Sequence, residues 1–237
     1  WKYDGFRLQI HKDKDKITIF SRQNENMTSM FPELIIAIKE QIKAEQAIFE
    51  GEALAFNEAT QEFYPFQITM QRKRKYNIGE KAEEFPLKLF LFDITFLNGK
   101  NLMALPFEER RKQLENVIKK GEVIEATESI LTDNAKTLAS FFDDAVTRGL
   151  EGIMAKDLKA PYIAGARKFA WIKLKRSYKS KIEDSIDCAI MGYYSGKGKR
   201  TQFGLGALLV GIYSEKEDSF KSIAKIGTGF KEKDLSD

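Results

Sequence analysis

At 237 residues the chain can hold one large domain or two smaller ones; with no signal peptide and no apolar run near the ~20 residues of a membrane span, it reads as intracellular. A single cysteine, Cys188, excludes an intrachain disulfide, and with a single histidine, His11, it leaves no zinc-ligand set. The net charge of +4, from 39 basic and 35 acidic side chains, permits nucleic acid without demanding it.

The chain opens on Trp1-Lys2-Tyr3-Asp4-Gly5-Phe6-Arg7, with a lysine ahead of an Asp-Gly turn and an arginine on the strand that follows. A lysine amine is a nucleophile only when neutral, and at its ordinary pKa of ~10.4 only about 0.1% is neutral near pH 7.5. A nearby cation such as Arg7 would lower that pKa and would also hold a triphosphate under attack. Past the turn, Phe6, Leu8 and Ile10 share one strand face and Arg7, Gln9 and His11 the other. Over Lys16 to Arg22 the alternation turns Ile17 and Ile19 inward and leaves Thr18, Phe20 and Arg22 opposite, so Arg7 and Arg22 can point into one cleft. Two amphipathic hairpin strands with solvated arginines would show the same pattern.

Helical spacing follows over Pro32 to Ile42, Pro106 to Lys120 and Asn134 to Arg148, with early proline or a capping asparagine and a stop at Gly149. Between them lie strands. In FEGEALAF, Glu50 and Glu52 fall on one face; in FLFDITF, Phe92 and Asp93 fall on opposite faces of an aromatic-rich segment whose default fate is core burial. In EGIMAK, Glu151 and Lys156 flank small and apolar residues, and a carboxylate at a strand start suits a hard cation. In WIKLK, Trp171, Lys173 and Lys175 share one face, with Ile172 and Leu174 on the other. Basic residues cluster at Arg72 to Lys75, Arg110 to Lys112, Lys173 to Lys181 and Lys197 to Arg200, each cluster a candidate for phosphate contact. A domain boundary is expected near Tyr178 to Glu183, followed by strands over Ile186 to Tyr194, Ala207 to Tyr213 and Phe220 to Ile226. Strands broken by helices without regular βαβ repeats predict an α+β fold with an antiparallel-rich sheet.

Six segments in order, KYDGFR (2–7), IFSRQNENMT (19–28), FEGEALAF (49–56), FLFDITFLNG (90–99), EGIMAK (151–156) and WIKLKRSY (171–178), together resemble the nucleotidyltransferase core of ATP-dependent DNA ligases, of the archaeal and eukaryotic replicative type. The resemblance implies an ATP-grasp-like adenylation domain over residues 1–179 and, over 180–237, the start of an oligonucleotide-binding barrel, of whose five strands about three fit. It implies Lys2 as the residue that takes AMP. Arg7, Arg22, Arg167, Lys173 and Lys175 would contact the nucleotide, Lys173 at its α-phosphate. Glu52 would serve the ribose or a divalent ion, Phe92 would stack on adenine, and Glu151 would hold the metal. ATP and a divalent cation, Mg²⁺ or Mn²⁺, are the implied cofactors. A nicked DNA duplex is the implied partner of a monomer with no membrane contact, joined by a sliding clamp through parts outside this chain, in the cytoplasm of an archaeon or the nucleus of a eukaryote.

Three features depart from the family pattern: the acidic residue that normally precedes Trp1, a large N-terminal DNA-encircling domain and the basic C-terminal barrel motif all fall outside this sequence, which therefore reads as a ligase fragment. An RNA ligase or mRNA-capping guanylyltransferase shares KxDG but would not be expected to carry the SRQNENMT and LNGKNL stretches. A non-catalytic nucleic-acid-binding module would be expected to have lost one of Lys2, Glu52, Glu151 or Lys173. An NAD-dependent ligase fits the overall resemblance less well.

Overall fold

The computed structural model describes residues 1–74, 76–165, 170–176, 188–196, 204–214 and 217–227. The chain divides into two compact units, residues 1–179 and 180–237.

The first unit is built on a curled sheet. Strand β1 (Phe6–Asp13) pairs antiparallel with β2 (Lys16–Ser21) on one side and with β3 (Gln46–Asn57) on the other. Next comes β5 (Leu87–Leu97), antiparallel to β3, and then the short β6 (Lys100–Asn101). The two-residue β4 (Glu62–Phe63) adds to β3, and β7 (Ile124–Ala126) adds parallel to β5. Alternation sorts the faces as the sequence predicts. Leu8, Ile10, Ile19, Phe49, Leu89 and Leu91 enter a core closed by Leu34 and Ile38 of helix α1 (Pro32–Gln41) and Leu114 of α4 (Phe107–Val117). Out-of-phase residues build a second cluster: Tyr3, Leu54 and Phe90 meet Phe142 and Ala145 of α5 (Ala135–Thr147) and Ile153 of β8 (Gly152–Lys156). Burial of such side chains, worth about 1.5–3 kcal/mol each, fixes the sheet between two helical layers.

The helices begin and end for local reasons. Pro32 opens α1 at a position whose N–H has no helical partner anyway. The Asn134 side chain accepts hydrogen bonds from the N–H groups of Lys136 and Thr137, and Gly149, at φ +80°, follows α5 in a backbone conformation that suits glycine. Helix α4 stops short of the expected Lys120 because the chain is diverted: Ile118 bridges Ile42 and the Lys119 N–H donates to the Gln41 carbonyl. Two short helices, α2 (Phe66–Thr69) and α3 (Ile78–Glu84), occupy a stretch where the sequence shows no clear helical period.

Strand β5 departs from simple alternation where it matters. Its register against β3 jumps from Glu50↔Asp93 to Gly51↔Leu91, which makes Phe92 the extra residue of a β-bulge. The bulge accompanies an inward Asp93 that binds Arg110 of α4 through two bonds, from Nε to Oδ1 at 2.8 Å and from Nη2 to Oδ2 at 3.0 Å. Both side chains are fully buried. Arg110 is therefore structural and does not face phosphate. The same correction applies to Arg72, which is buried against Glu33 and the carbonyls of Lys81 and Phe85. Lys73 and Arg111 pair with Glu25 and Glu115, and the Lys197 to Arg200 cluster lies outside the described residues.

A short second sheet joins β8 to β9 (Trp171–Lys175), with Gly152 opposite Lys175 and Met154 opposite Lys173. In the unit 180–237 the described residues form an antiparallel meander of β10 (Ala189–Ser195), β11 (Leu205–Ser214) and β12 (Ser219–Ile226), with Ala207 and Val210 buried.

Removing one partner of a buried ion pair leaves an uncompensated charge. Asp93→Ala should therefore destabilise the first unit by about 3–5 kcal/mol, while Asp93→Leu combined with Arg110→Met should cost much less; denaturant unfolding of the two variants measures the difference.

Candidate active site

Lys2 precedes β1 and is stitched into the second sheet by its backbone. Its N–H donates to the Gly152 carbonyl at 2.8 Å, and its own carbonyl accepts from the Glu151 N–H at 3.1 Å. Gly152 is required there by its other neighbour, β9: its φ is +142°, and a Cβ would lie 2.2 Å from the Leu174 carbonyl oxygen. Gly5 answers a similar need. It does not adopt a left-handed turn conformation, contrary to the Asp-Gly turn expected from the sequence. Instead it lets the chain pass the Ala53 carbonyl of β3, where a Cβ would come within 2.3 Å, and its N–H donates to Glu52 Oε1 at 3.2 Å.

This backbone arrangement gathers the charged groups. The Glu151 carboxylate bonds the amines of both Lys2 and Lys175, one on each oxygen. Burial first, and then the Lys175 and Lys173 cations, push the Lys2 amine below its ordinary range, while the carboxylates of Glu52 and Asp4 work against that. The cations depressing the amine are thus the β9 lysines rather than Arg7. Arg7 donates instead to Glu50 Oε2 at 2.8 Å, and the other Glu50 oxygen accepts the Tyr162 hydroxyl at 2.7 Å. Glu52 lies opposite Arg7 in the β1–β3 register. Its carboxyl is pushed up to about 7 by burial, against the opposing Gly5 hydrogen bond and the Lys2 and Arg7 charges.

The bulged Phe92 is half-buried, and the Arg7 guanidinium lies 5.8 Å from its ring centre. Trp171 meets Phe92 edge-on at 5.9 Å and Tyr162 at 6.3 Å. The Lys156 amine donates to the Phe92 carbonyl and sits 4.2–4.9 Å from the rings of Trp171, Phe107 and Phe92. Burial, with help from Arg111 and Arg110 and against Asp93 and Glu50, brings this amine down to about 7.

The structure thus brings Lys2, Glu52, Glu151 and Lys175 together, with Arg7 and Phe92 beside one another. Lys173 is exposed on β9 beside them, two residues from Lys175. Arg22 differs from expectation. Strand β2 ends at Ser21, whose carbonyl accepts the Asn24 N–H, so Arg22 is an exposed turn residue with no hydrogen bond or ion pair among the described residues. Arg167 lies outside the described residues. Sequence reasoning missed Tyr162, which sits in the β8–β9 connection where no periodicity points to it, and passed over Lys156, whose spacing is that of any strand residue.

Among the described residues no three His, Cys, Asp or Glu side chains cluster as a metal cage. What Lys2 has instead is one carboxylate in contact, Glu151, and another acting on its charge, Glu52. Such a sparse oxygen set suits a hard divalent cation that keeps water and takes phosphate oxygens as its remaining ligands.

The raised Glu52 pKa has a stability consequence. Between its unfolded value, ~4.3, and about 7, the unfolded chain loses the proton that the folded chain keeps, so this carboxyl's contribution is full below ~4.3 and is lost as pH rises. Glu52→Gln, which keeps an acceptor for Gly5, should gain on wild type by about 2 kcal/mol between pH 5 and pH 8, read from denaturant unfolding at the two pH values.

A family model for the ATP dependent DNA ligase domain matches residues 1–175. A probable DNA ligase of Dictyoglomus turgidum is 54% identical over 228 residues, covering 96% of this chain and 39% of its own length. The DNA ligase of Nitrosopumilus maritimus is 42% identical over 235 residues, covering 99% and 40%. The chain thus spans about two fifths of the length of these curated relatives. Its fold is similar to a Lig E DNA ligase, with a TM-score of 0.65 at 20% identity over 99% of this chain and 78% of that one. It is also similar to mycobacterial DNA ligase D complexed with ATP and MES, with a TM-score of 0.58 at 23% identity over 99% and 67%. With the matched segment running from Trp1 through Lys175, from the half-buried Lys2 amine to the lysine that shares its carboxylate, this chain belongs to the ATP-dependent DNA ligase domain family.

Proposed function

We propose that this chain performs the adenylyl-transfer and nick-sealing chemistry of an ATP-dependent DNA ligase. The observation that carries this is the Lys2 amine, held by its backbone between the two sheets, depressed by burial and by the β9 lysines, and set against Glu151 and Lys175. Neutral Lys2 attacks the α-phosphorus of ATP. The Nζ–P bond forms, the bond to the β-phosphate oxygen breaks, pyrophosphate leaves, and the amine proton passes to solvent. The AMP then moves to the 5′-phosphate of a nick, restoring the free amine. The neighbouring 3′-hydroxyl next attacks that 5′-phosphorus, forming the phosphodiester and releasing AMP.

Each neighbour has a part in this scheme. Lys173 and Lys175 offset charge on the α-phosphate, a role for which fixed cations are well suited because they need no reorganisation as the charge develops. Arg7, oriented by Glu50, faces the nucleotide, and Phe92 offers a ring for adenine. Glu52, close to Lys2 and Arg7, serves the ribose hydroxyls or the cation. Glu151 and Glu52 would hold Mg²⁺ or Mn²⁺, which supplies neutralisation of phosphate charge when bound. Arg22 and Arg167 belong to this proposal as nucleotide contacts on family resemblance alone. The residues of 180–237 are proposed as the first part of an oligonucleotide-binding barrel, in keeping with their antiparallel meander. The partner is a nicked DNA duplex.

In the full-length protein incubated with ATP and a divalent cation, Lys2→Ala should abolish the covalent AMP adduct seen by intact mass. Lys2→Arg should not restore it, because guanidinium stays protonated and is a poor nucleophile. An adduct of unchanged yield in either variant would remove Lys2 from the scheme. An adduct from GTP rather than ATP, or sealing of nicked RNA but not DNA, would instead favour the guanylyltransferase or RNA ligase chemistries.

A further inference from the structure

The cleft contains a closed ring of contacts, two of whose members, Tyr162 and Trp171, have no part in the proposed chemistry. Arg7 donates to Glu50 Oε2 at 2.8 Å, and Tyr162 donates to Glu50 Oε1 at 2.7 Å. Tyr162 meets Trp171 edge-on, Trp171 meets Phe92 edge-on, and Phe92 lies under the Arg7 guanidinium. Glu50 is the junction: its side chain is 4% exposed, whereas that of Arg7 is 38% exposed. Arg7 is thus a long, half-open side chain whose position depends on a buried carboxylate.

That carboxylate is itself held by two donors, of which Tyr162 is the better anchored. The Tyr162 N–H donates to the Met103 carbonyl at 2.8 Å. The same connection is pinned to the start of α4, where Phe107 and Glu108 N–H groups donate to the carbonyls of Ala160 and Leu158, each at 3.0 Å. Burial and the bond to Glu50 push the phenol above its ordinary range, so it remains a protonated donor throughout the working pH range.

We propose that Tyr162 is a positioning residue for nucleotide transfer: by fixing the Glu50 carboxylate it sets the Arg7 guanidinium, and through Trp171 it ties that guanidinium to the ring of Phe92. Tyr162 and Glu50 touch no reacting atom in this scheme and act through Arg7. The inference rests on the reading of Arg7 as a nucleotide contact given above.

The test is a double-mutant cycle in the full-length protein, with the rate of Lys2–AMP formation measured against ATP concentration and thermal unfolding recorded alongside. Tyr162→Phe keeps the ring and removes only the hydroxyl. It should slow adenylylation by roughly tenfold or more, the scale of one hydrogen bond to a charged group. Arg7→Ala should slow it at least as much, and the double variant should be no slower than Arg7→Ala alone, because Tyr162 then has nothing left to position. Glu50→Gln, which keeps the side-chain shape and weakens the hold on Arg7, should reproduce the Tyr162→Phe effect and gives a second route should Tyr162→Phe fold poorly. A residue that mattered only for stability would shift unfolding and give losses that multiply. Wild-type rates in Tyr162→Phe, or multiplicative losses in the cycle, overturn the inference while leaving Arg7 in place. A wild-type rate in Arg7→Ala overturns the reading of Arg7 itself, and the inference with it.

Discussion

The site depends on two backbone hydrogen bonds that tie Lys2 to the start of β8. They bring the residues before β1 against a segment about 150 positions away and so set a primary amine beside the carboxylate of Glu151. Neither bond involves the Lys2 side chain. The amine can therefore exchange its partner, a carboxylate in this structure and a phosphorus atom in the proposed reaction, while its backbone anchor stays put. Burial sets the ionisation of that amine, and burial follows from the anchor. Lys175, fixed by strand pairing opposite Gly152, adds its charge from the same place.

Around this anchor the molecule handles charge in two ways. Arg110 and Arg72 are sealed in the interior, each saturated by a carboxylate and by backbone carbonyls; Arg110 holds α4 on the sheet, and Arg72 ties α1 to the end of α3. Lys2, Lys175 and Arg7 stay partly open, each joined to one carboxylate, and so remain available to a ligand. Glu50 and Glu52, two residues apart, are divided in the same manner. Glu50 is committed to Arg7 and Tyr162. Glu52 has a single hydrogen-bond donor, the Gly5 N–H, among the described residues, and its carboxyl is pushed toward the neutral form.

Much of this was legible in the sequence. Alternation in β1 and β3, and in β2 as far as Ser21, placed the side chains correctly because those strands are regular there, but it failed at Arg22, where the chain has already turned; the three longer helices follow from period, proline and capping asparagine. Family resemblance supplied the proposed roles, which no pattern in the residues carries. What escaped was set by tertiary contact. The bulge at Phe92 exists only relative to β3, the burial of Arg110 only relative to Asp93, and Tyr162 reaches Glu50 from a connection without periodicity. Basic clusters were the least informative signal, since neighbouring arginines in one run proved to be interior and surface groups side by side. The Asp4-Gly5 pair misled for a related reason: glycine there answers a close backbone approach rather than a turn.

The complete enclosure of the Arg110–Asp93 pair separates two responses to ionic strength. Mobile ions screen charges they can surround, over a Debye length of about 8 Å at physiological salt, and they cannot surround a pair with no accessible surface. Exposed lysines such as Lys173 have no such shelter, and their attraction for a polyanion declines as counterions compete. In the proposed complex with DNA, concentrated salt should therefore loosen the contact with the phosphate backbone well before it loosens the helix that Arg110 secures, so that loss of binding in brine would not be a sign of unfolding.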